Sequence, residues 1–177
     1  MMRLWPVIAA MFLALGGLSE VAGYEMAPPR AAAWREIAWP FPRDGWPAGR
    51  AFRCGTVECG AEVEVYLRPK LGFCNCDSGV ADDDEVDRVA DVDMISPRFV
   101  PLRAGDVVDV ADMHGRIRAY RLDGSRTAIG IAVSHRCDLM AVAAQGRGDA
   151  ARVQRATLAF LGSQEIRNWM TAALEGR

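Results

Sequence analysis

The chain has 177 residues and carries 21 Lys or Arg against 23 Asp or Glu, a formal net charge of −2. Its basic residues are dispersed along the chain, which argues against a nucleic-acid partner. Hydrophobic residues make up 51% of the sequence, a proportion that excludes an intrinsically disordered chain.

The N-terminus has the order of a secretory signal peptide. Arg3 precedes the apolar run WPVIAAMFLALGGL, and the small residues Val21, Ala22 and Gly23 follow soon after it. The run is shorter than the roughly 20 apolar residues that a membrane-spanning helix needs. We therefore expect cleavage near Gly23, a periplasmic or secreted location, and no transmembrane anchor after signal cleavage.

The remaining chain suits one domain. Removing the signal peptide, residues 1–23, leaves about 154 residues, enough for a single hydrophobic core. Residues 24–53 are rich in Pro and Trp and are expected to form an extended strap. Residues 54–177 are expected to form a single α+β domain.

The strap is defined by its prolines and aromatic residues. Pro40, Pro42 and Pro47 prevent a helix and favour an extended strap or an edge segment. We expect the aromatic side chains to pack onto the domain, because large apolar side chains are usually buried. The alternative is an aromatic groove that binds a partner through Trp39 and Trp46.

Strands precede helices in the main domain. Residues 61–67, AEVEVYL, alternate between apolar and polar positions and predict a half-buried strand, which Arg68-Pro69 should interrupt. Four apolar segments follow Pro101, and Asp123-Gly124 between two of them favours a hairpin. The C-terminal segment has helical periodicity with a break at Gly162-Ser163. This order predicts an α+β fold, in which an antiparallel β-meander packs against one broken C-terminal helix or two short ones, and disulfides staple the chain.

An acidic stretch lies between the first strand and the meander. Eight acids and a single base occur from Asp77 to Asp93. In residues 80–94, VADDDEVDRVADVDM, the apolar positions recur at helical spacing, and acids at the front complement a helix N-terminus. A solvated helix face is therefore one interpretation. The other is a partner-binding acidic patch formed by Asp82, Asp83, Asp84 and Glu85.

Five cysteines remain after signal cleavage, at positions 54, 59, 74, 76 and 137. Disulfides are expected in an exported protein, and the odd number leaves at least one cysteine unpaired within the chain. Proximity favours a Cys54–Cys59 bridge and a bridge from either Cys74 or Cys76 to Cys137. A Cys74–Cys76 bridge would close a very tight ring.

Cys74, Cys76 and Asp77 also suggest an alternative, in which thiolates and a carboxylate bind copper or zinc. The acids that follow should raise the pKa of a thiol here, which disfavours thiol–disulfide catalysis, whereas a helix N-terminus near Asp82 should lower it. The sequence itself requires no cofactor.

No catalytic motif stands out in the sequence. It lacks a C-x-x-C-H haem motif, a glycine-rich phosphate loop, H-E-x-x-H and G-x-S-x-G. We therefore favour a non-catalytic envelope binding or accessory protein, whose ligand is an envelope protein or a small molecule. The second hypothesis is a redox or soft-metal accessory protein that uses Cys74 and Cys76, and the third is an enzyme of unrecognised class.

Overall fold

The computed structural model describes residues 33–73 and 76–176. The expected signal peptide, the first part of the strap and Cys74 lie outside the described residues. The strands are β1 (Trp34–Ile37), β2 (Arg50–Cys54), β3 (Val63–Lys70), β4 (Val100–Pro101), β5 (Asp106–Val110), β6 (Met113–Arg121), β7 (Arg126–His135) and β8 (Asp138–Arg147). The helices are α1 (Thr56–Cys59), α2 (Asp83–Val89), α3 (Val92–Ile95), α4 (Ala150–Leu161) and α5 (Gln164–Leu174).

All eight strands form one sheet, in which every pairing is antiparallel. The order is β1-β2-β3-β8-β7-β6, and β4 and β5 both pair with the outer side of β6. Strands β5 to β8 form the predicted meander, and the β6–β7 hairpin turns at Asp123-Gly124. The predicted α+β fold is thus confirmed.

Helices α4 and α5 cover one face of the sheet, which we call the α4–α5 face. Val63, Val65 and Leu67 of β3 are fully buried there, as the alternation of AEVEVYL predicts. From the helices, Phe160 and Met170 contribute to the same core.

Two separate helices form the C-terminus, in agreement with the predicted break. Asp149 caps α4, because its Oδ1 accepts a hydrogen bond from the Ala151 N–H at 3.2 Å. Gly162 and Ser163 then separate α4 from α5. No helix within residues 33–73 and 76–176 is long and apolar enough to cross a membrane.

The opposite face, the α2–α3 face, carries the acidic segment. Val86, Val89 and Val92 pack there against Tyr120 and other residues of the sheet. The continuous helix that the spacing predicts is wrong, since α2 ends at Val89 and α3 begins at Val92. Between them Asp91 adopts a left-handed conformation with φ 60°, which turns its carboxylate toward β3.

The strap contributes two strands to the sheet. β1 lies at one edge of the sheet, and β2 pairs with both β1 and β3. The end of the strap predicted at residue 53 therefore falls inside β2. Between these strands, Trp39 and Phe41 pack on a buried cluster of the α2–α3 face that includes Tyr66.

The interruption predicted at Arg68-Pro69 is wrong, because β3 continues to Lys70. Pro69 pairs in register with Met140 of β8, whereas the pairing with β2 ends at Leu67. A backbone N–H at position 69 would therefore point to the side of β3 on which β2 has already ended, and proline lacks this N–H. Proline is tolerated in strands at such positions.

A buried ionic cluster joins the acidic segment to β3. Arg68, Lys70 and Asp91 have exposed fractions of 2%, 4% and 9%. Asp91 accepts hydrogen bonds from Arg68 Nε at 2.9 Å and from Lys70 Nζ at 2.6 Å. Lys70 Nζ also donates to the Val89 carbonyl at 2.8 Å. One carboxylate thus compensates two buried cations, and Asp44, 3.9 Å from Arg68, adds a weaker contact.

We predict that Asp91→Asn lowers the free energy of unfolding by about 3–5 kcal/mol, because it leaves two buried cations without their carboxylate. Asn has nearly the same shape and tolerates the left-handed conformation, so the loss reports the charge. Urea denaturation measures it. The control is Asp93→Asn at an exposed acid nearby, for which we expect a change within about 0.5 kcal/mol. Equal effects of the two substitutions would contradict the prediction.

Candidate functional site

The acidic candidates form the cap and first turn of α2. Asp82 is the N-cap residue, and its Oδ1 accepts a hydrogen bond from the Glu85 N–H at 2.8 Å. Glu85 in turn accepts one through Oε2 from the Ala81 N–H at 3.0 Å. These two carboxylates therefore satisfy backbone donors that the helix start leaves free.

Asp83 connects α2 to the sheet, whereas Asp84 faces solvent. The Asp83 carboxylate accepts hydrogen bonds from the Gly105 N–H at 2.8 Å and from Arg116 Nη2 at 2.6 Å. These hydrogen bonds, first that of Gly105 and then that of Arg116, lower the pKa of Asp83. Asp84 makes no hydrogen bond or ion pair with another residue of the described chain, so it is the acidic candidate most available to a partner.

The two candidate tryptophans pack against other aromatic rings. The ring of Trp39 meets Tyr66 edge to face at a centroid distance of 6.3 Å. It also covers Gly49, where a Cβ atom would come within 2.4 Å of the ring. Trp46 meets Phe73 edge to face at 5.3 Å. These are the contacts of packed side chains, and partner binding by Trp39 and Trp46 stays a prediction.

Two disulfides staple the described chain, Cys54–Cys59 and Cys76–Cys137. Both pairings are among those that the sequence favours. Their partners are 5 and 61 positions apart, so the second restricts the unfolded chain more. Loop-closure entropy gives about 2 kcal/mol for the short bridge and about 4 kcal/mol for the long one. Disulfides of this kind fit an exported protein.

The proposed metal site loses one of its thiolates to the second disulfide. Cys76 is bonded to Cys137, so it can bind copper or zinc only after that bridge is reduced. Cys74 lies outside the described residues, and Asp77 is exposed. The described part of the chain contains no group of three or more His, Cys, Asp or Glu side chains that could hold a metal ion.

The sequence does not predict the free edge of the sheet. Residues 100–110, which we call the β4–β5 edge, run along the outer side of β6, and no other strand of the described chain pairs with them. Val100, Leu102 and Val107 on this edge are 52%, 42% and 58% exposed. The segment DVVDV indicates a strand, but its edge position depends on strand order and leaves no signal in the sequence.

The acidic start of α2 lies beside this edge. The hydrogen bond between Gly105 and Asp83 joins the β4–β5 connection directly to the first turn of α2. An open cavity of about 360 Å³ lies here, lined by residues 81–84 and Arg116. Two further exposed acids belong to β5 itself. Asp106 pairs with Arg103 at 3.3 Å, and Asp109 Oδ1 lies 2.7 Å from His114 Nδ1. The edge therefore combines exposed apolar side chains with negative charge.

A polar network crosses the α2–α3 face over the neighbouring strands β2, β3, β8 and β7. Glu64 accepts hydrogen bonds from Arg53 Nε at 2.7 Å, from the Tyr66 hydroxyl at 2.5 Å and from Gln145 Nε2 at 2.9 Å. Gln145 Oε1 in turn accepts one from Arg126 at 2.8 Å. Burial raises the pKa of Glu64, but the hydrogen bonds from Tyr66 and Arg53 outweigh it and lower that pKa overall.

Burial and hydrogen bonds also shift the pKa values of other side chains. Burial, and then the hydrogen bond to Glu64, raises the pKa of the Tyr66 hydroxyl. Burial and a hydrogen bond to Asp87 do the same for Tyr120. The hydrogen bond from Arg50 lowers the pKa of Glu36. Every resolved pKa shift in the described chain thus moves a group away from neutral pH and holds it in one protonation state.

The disulfides lead to a prediction about thiol content. With four cysteines bridged, we expect the mature, unreduced protein to take up one alkylating group in denaturant, and peptide mapping should place it on Cys74. Intact mass after alkylation, with and without reduction, gives the count. Labelling of both Cys74 and Cys76 would contradict the Cys76–Cys137 bridge and revive the redox and soft-metal hypotheses.

The lowered pKa of Glu64 makes stability depend on pH. A carboxyl group whose folded pKa is depressed stabilises the fold above its unfolded pKa, and this stabilisation is lost as pH falls through the folded value. We therefore expect the free energy of unfolding to decline below about pH 4.3. Glu64→Gln should reduce this decline in urea denaturation at stepped pH, and Glu62→Gln at the exposed neighbour should not. An unchanged decline in Glu64→Gln would contradict the prediction.

Comparison with known proteins identifies no family. No protein-family model matches the chain, and no curated protein does. Among solved structures, the chain is similar to cyanobacterial PsbP (CyanoP) from Synechocystis sp. PCC 6803, determined in solution, with 15% sequence identity and a TM-score of 0.44. The likeness covers 71% of this chain and 80% of that one. A likeness this distant carries no functional inference.

Proposed function

We propose that the chain is an exported, non-catalytic binding protein that holds an extended segment of a partner protein along the β4–β5 edge. The exposure of Val100, Leu102 and Val107 on an unpaired edge is the observation that carries this proposal. Proteins usually protect such edges, because free backbone N–H and C=O groups can pair with another chain. An edge strand that instead presents apolar side chains suits the addition of a partner strand.

The charge beside the edge specifies the chemistry of the partner. Asp106 and Asp109 lie on β5, and Asp82 and Asp84 lie on the adjacent start of α2. Asp109 and the two acids of α2 lie on the same face of the sheet as Val107. A strand that alternates apolar and basic residues would therefore place its positive charges on this face and its apolar side chains on the opposite face, beside Val108. Opposite charges of this kind increase the association rate and select the partner.

The pKa directions support a non-catalytic role. A general acid or base works best with a pKa near the operating pH. The perturbed carboxyl groups of this chain have lowered pKa values, and its perturbed tyrosines have raised ones. Such shifts fit groups that hold the fold together.

The test uses a defined probe, a capped synthetic peptide of alternating valine and arginine. In NMR titrations we expect the backbone amides of residues 106–110 to shift with this peptide and not with a matched valine–glutamate peptide. Val107→Lys should weaken binding by about tenfold, because the lysine repels the arginines on the same face. Asp84→Asn should weaken it by a smaller factor.

Val57→Lys is the matched control, since Val57 is 94% exposed on α1, away from the edge. It should bind the peptide as the wild type does. Equal binding by Val107→Lys, or shifts confined to another part of the sheet, would overturn the proposal. Substitutions at these exposed positions should leave stability within about 0.5 kcal/mol, so loss of binding will not report unfolding.

A further inference from the structure

Two arginines face each other at one end of the α2–α3 face. Arg126 opens β7 and Arg147 closes β8, and the two are directly opposite in the register. Like charges in this relation destabilise an antiparallel pair. Both line a cleft of about 190 Å³, together with Glu62, Glu64 and Gln145. The register therefore brings two positive charges together at a concave position that two glutamates also line.

Neither guanidinium forms a salt bridge with a carboxylate of the described chain. Arg126 has its hydrogen bond to the Gln145 amide oxygen at 2.8 Å, and no salt bridge. The Arg147 guanidinium has no hydrogen bond or ion pair with any residue in the described ranges. Arg50 differs, because Glu36 holds it through two hydrogen bonds of 2.9 and 2.7 Å.

The Gln145 amide orients Arg126 without neutralising its charge. Gln145 is itself fixed, since its Nε2 donates to Glu64 at 2.9 Å and to the Tyr66 hydroxyl at 3.1 Å. A guanidinium has five N–H donors in a rigid fork. With one donor directed at an amide, Arg126 keeps both its charge and further donors for a ligand.

The net charge of the cleft selects the class of anion. Two arginines and two glutamates line it, and their charges cancel. Arg53 pairs with Glu64 from outside the lining residues and adds one positive charge. A monoanion would bring the net charge of the cleft to zero, whereas a phosphate dianion would leave an excess negative charge beside Glu62 and Glu64.

From the paired guanidiniums, the amide that orients one of them and the surplus of one positive charge, we infer that this cleft is a carboxylate-binding site, distinct from the β4–β5 edge. Arg126 and Arg147 bind the carboxylate through charge-assisted hydrogen bonds, for which the guanidinium fork is well suited. The volume admits a carboxylate group with a short attached chain. Its source is either a small carboxylic acid or the C-terminus of a peptide.

The first experiment follows the arginine Nε–Hε signals of the purified ¹⁵N-labelled protein by NMR. Sodium acetate replaces sodium chloride at constant ionic strength, so that screening stays the same. We expect saturable shifts of the Arg126 and Arg147 signals. Arg147→Gln should weaken acetate binding by about tenfold or more, as expected for loss of a charge-assisted hydrogen bond. Arg155→Gln, at an exposed arginine on α4, should not.

Two further arms identify the ligand. N-acetyl-dialanine and its C-terminal amide separate a peptide carboxylate from a small acid. If N-acetyl-dialanine binds more tightly than acetate, the ligand is a peptide terminus. If the two bind equally, the site accepts carboxylates in general. Inorganic phosphate at neutral pH tests the charge balance. Binding of phosphate more tightly than acetate, or the absence of saturation with every carboxylate, would overturn the inference.

A stability measurement separates ligand binding from a structural role. If the two guanidiniums repel each other in the empty cleft, Arg147→Gln should raise the melting temperature in chloride. Acetate should raise the melting temperature of the wild type more than that of Arg147→Gln. A lower melting temperature for Arg147→Gln in chloride would show that Arg147 stabilises the fold, and the carboxylate-binding assignment would fail.

Discussion

The buried carboxylate of Asp91 holds the two layers of the α2–α3 side together. It lies between Arg68 and Lys70 of β3, and its left-handed backbone separates α2 from α3. Buried cations need a compensating charge, because the loss of hydration costs several kcal/mol per ion. The position of this acid therefore determines where α2 ends and which surface of the sheet the helices cover.

Pairing with cations of the sheet also explains the positions of other acids in the acidic stretch. Asp83 pairs with Arg116, and Asp87 pairs with Arg118, both on β6. Together with the cluster at Asp91, these contacts direct much of the negative charge inward, onto a sheet face rich in arginine. A stretch that appears in the sequence as a highly charged surface therefore also clamps helix to sheet, through Asp83, Asp87 and Asp91.

Local patterns predicted the strands and turns, and long-range contacts decided the rest. The hairpin at Asp123-Gly124 depends on neighbouring residues alone, so sequence periodicity was sufficient. Pro69 is tolerated because β2 has ended beside it, and Asp91 breaks the helix because buried cations lie on a distant strand. The role of Asp83 and the exposure of Val107 likewise depend on strand order, which the sequence of one chain does not contain.

Surface groups that the fold leaves uncompensated are the best guide to function in such a molecule. An arginine that an internal carboxylate neutralises, such as Arg116 with Asp83, is explained by the fold. Arg126, which is oriented by an amide and faces Arg147, is not. The same reasoning applies to the apolar surface, where Val107 is exposed on an edge that other strands do not cover. Burial of that side chain and neutralisation of that arginine pair both require a second molecule.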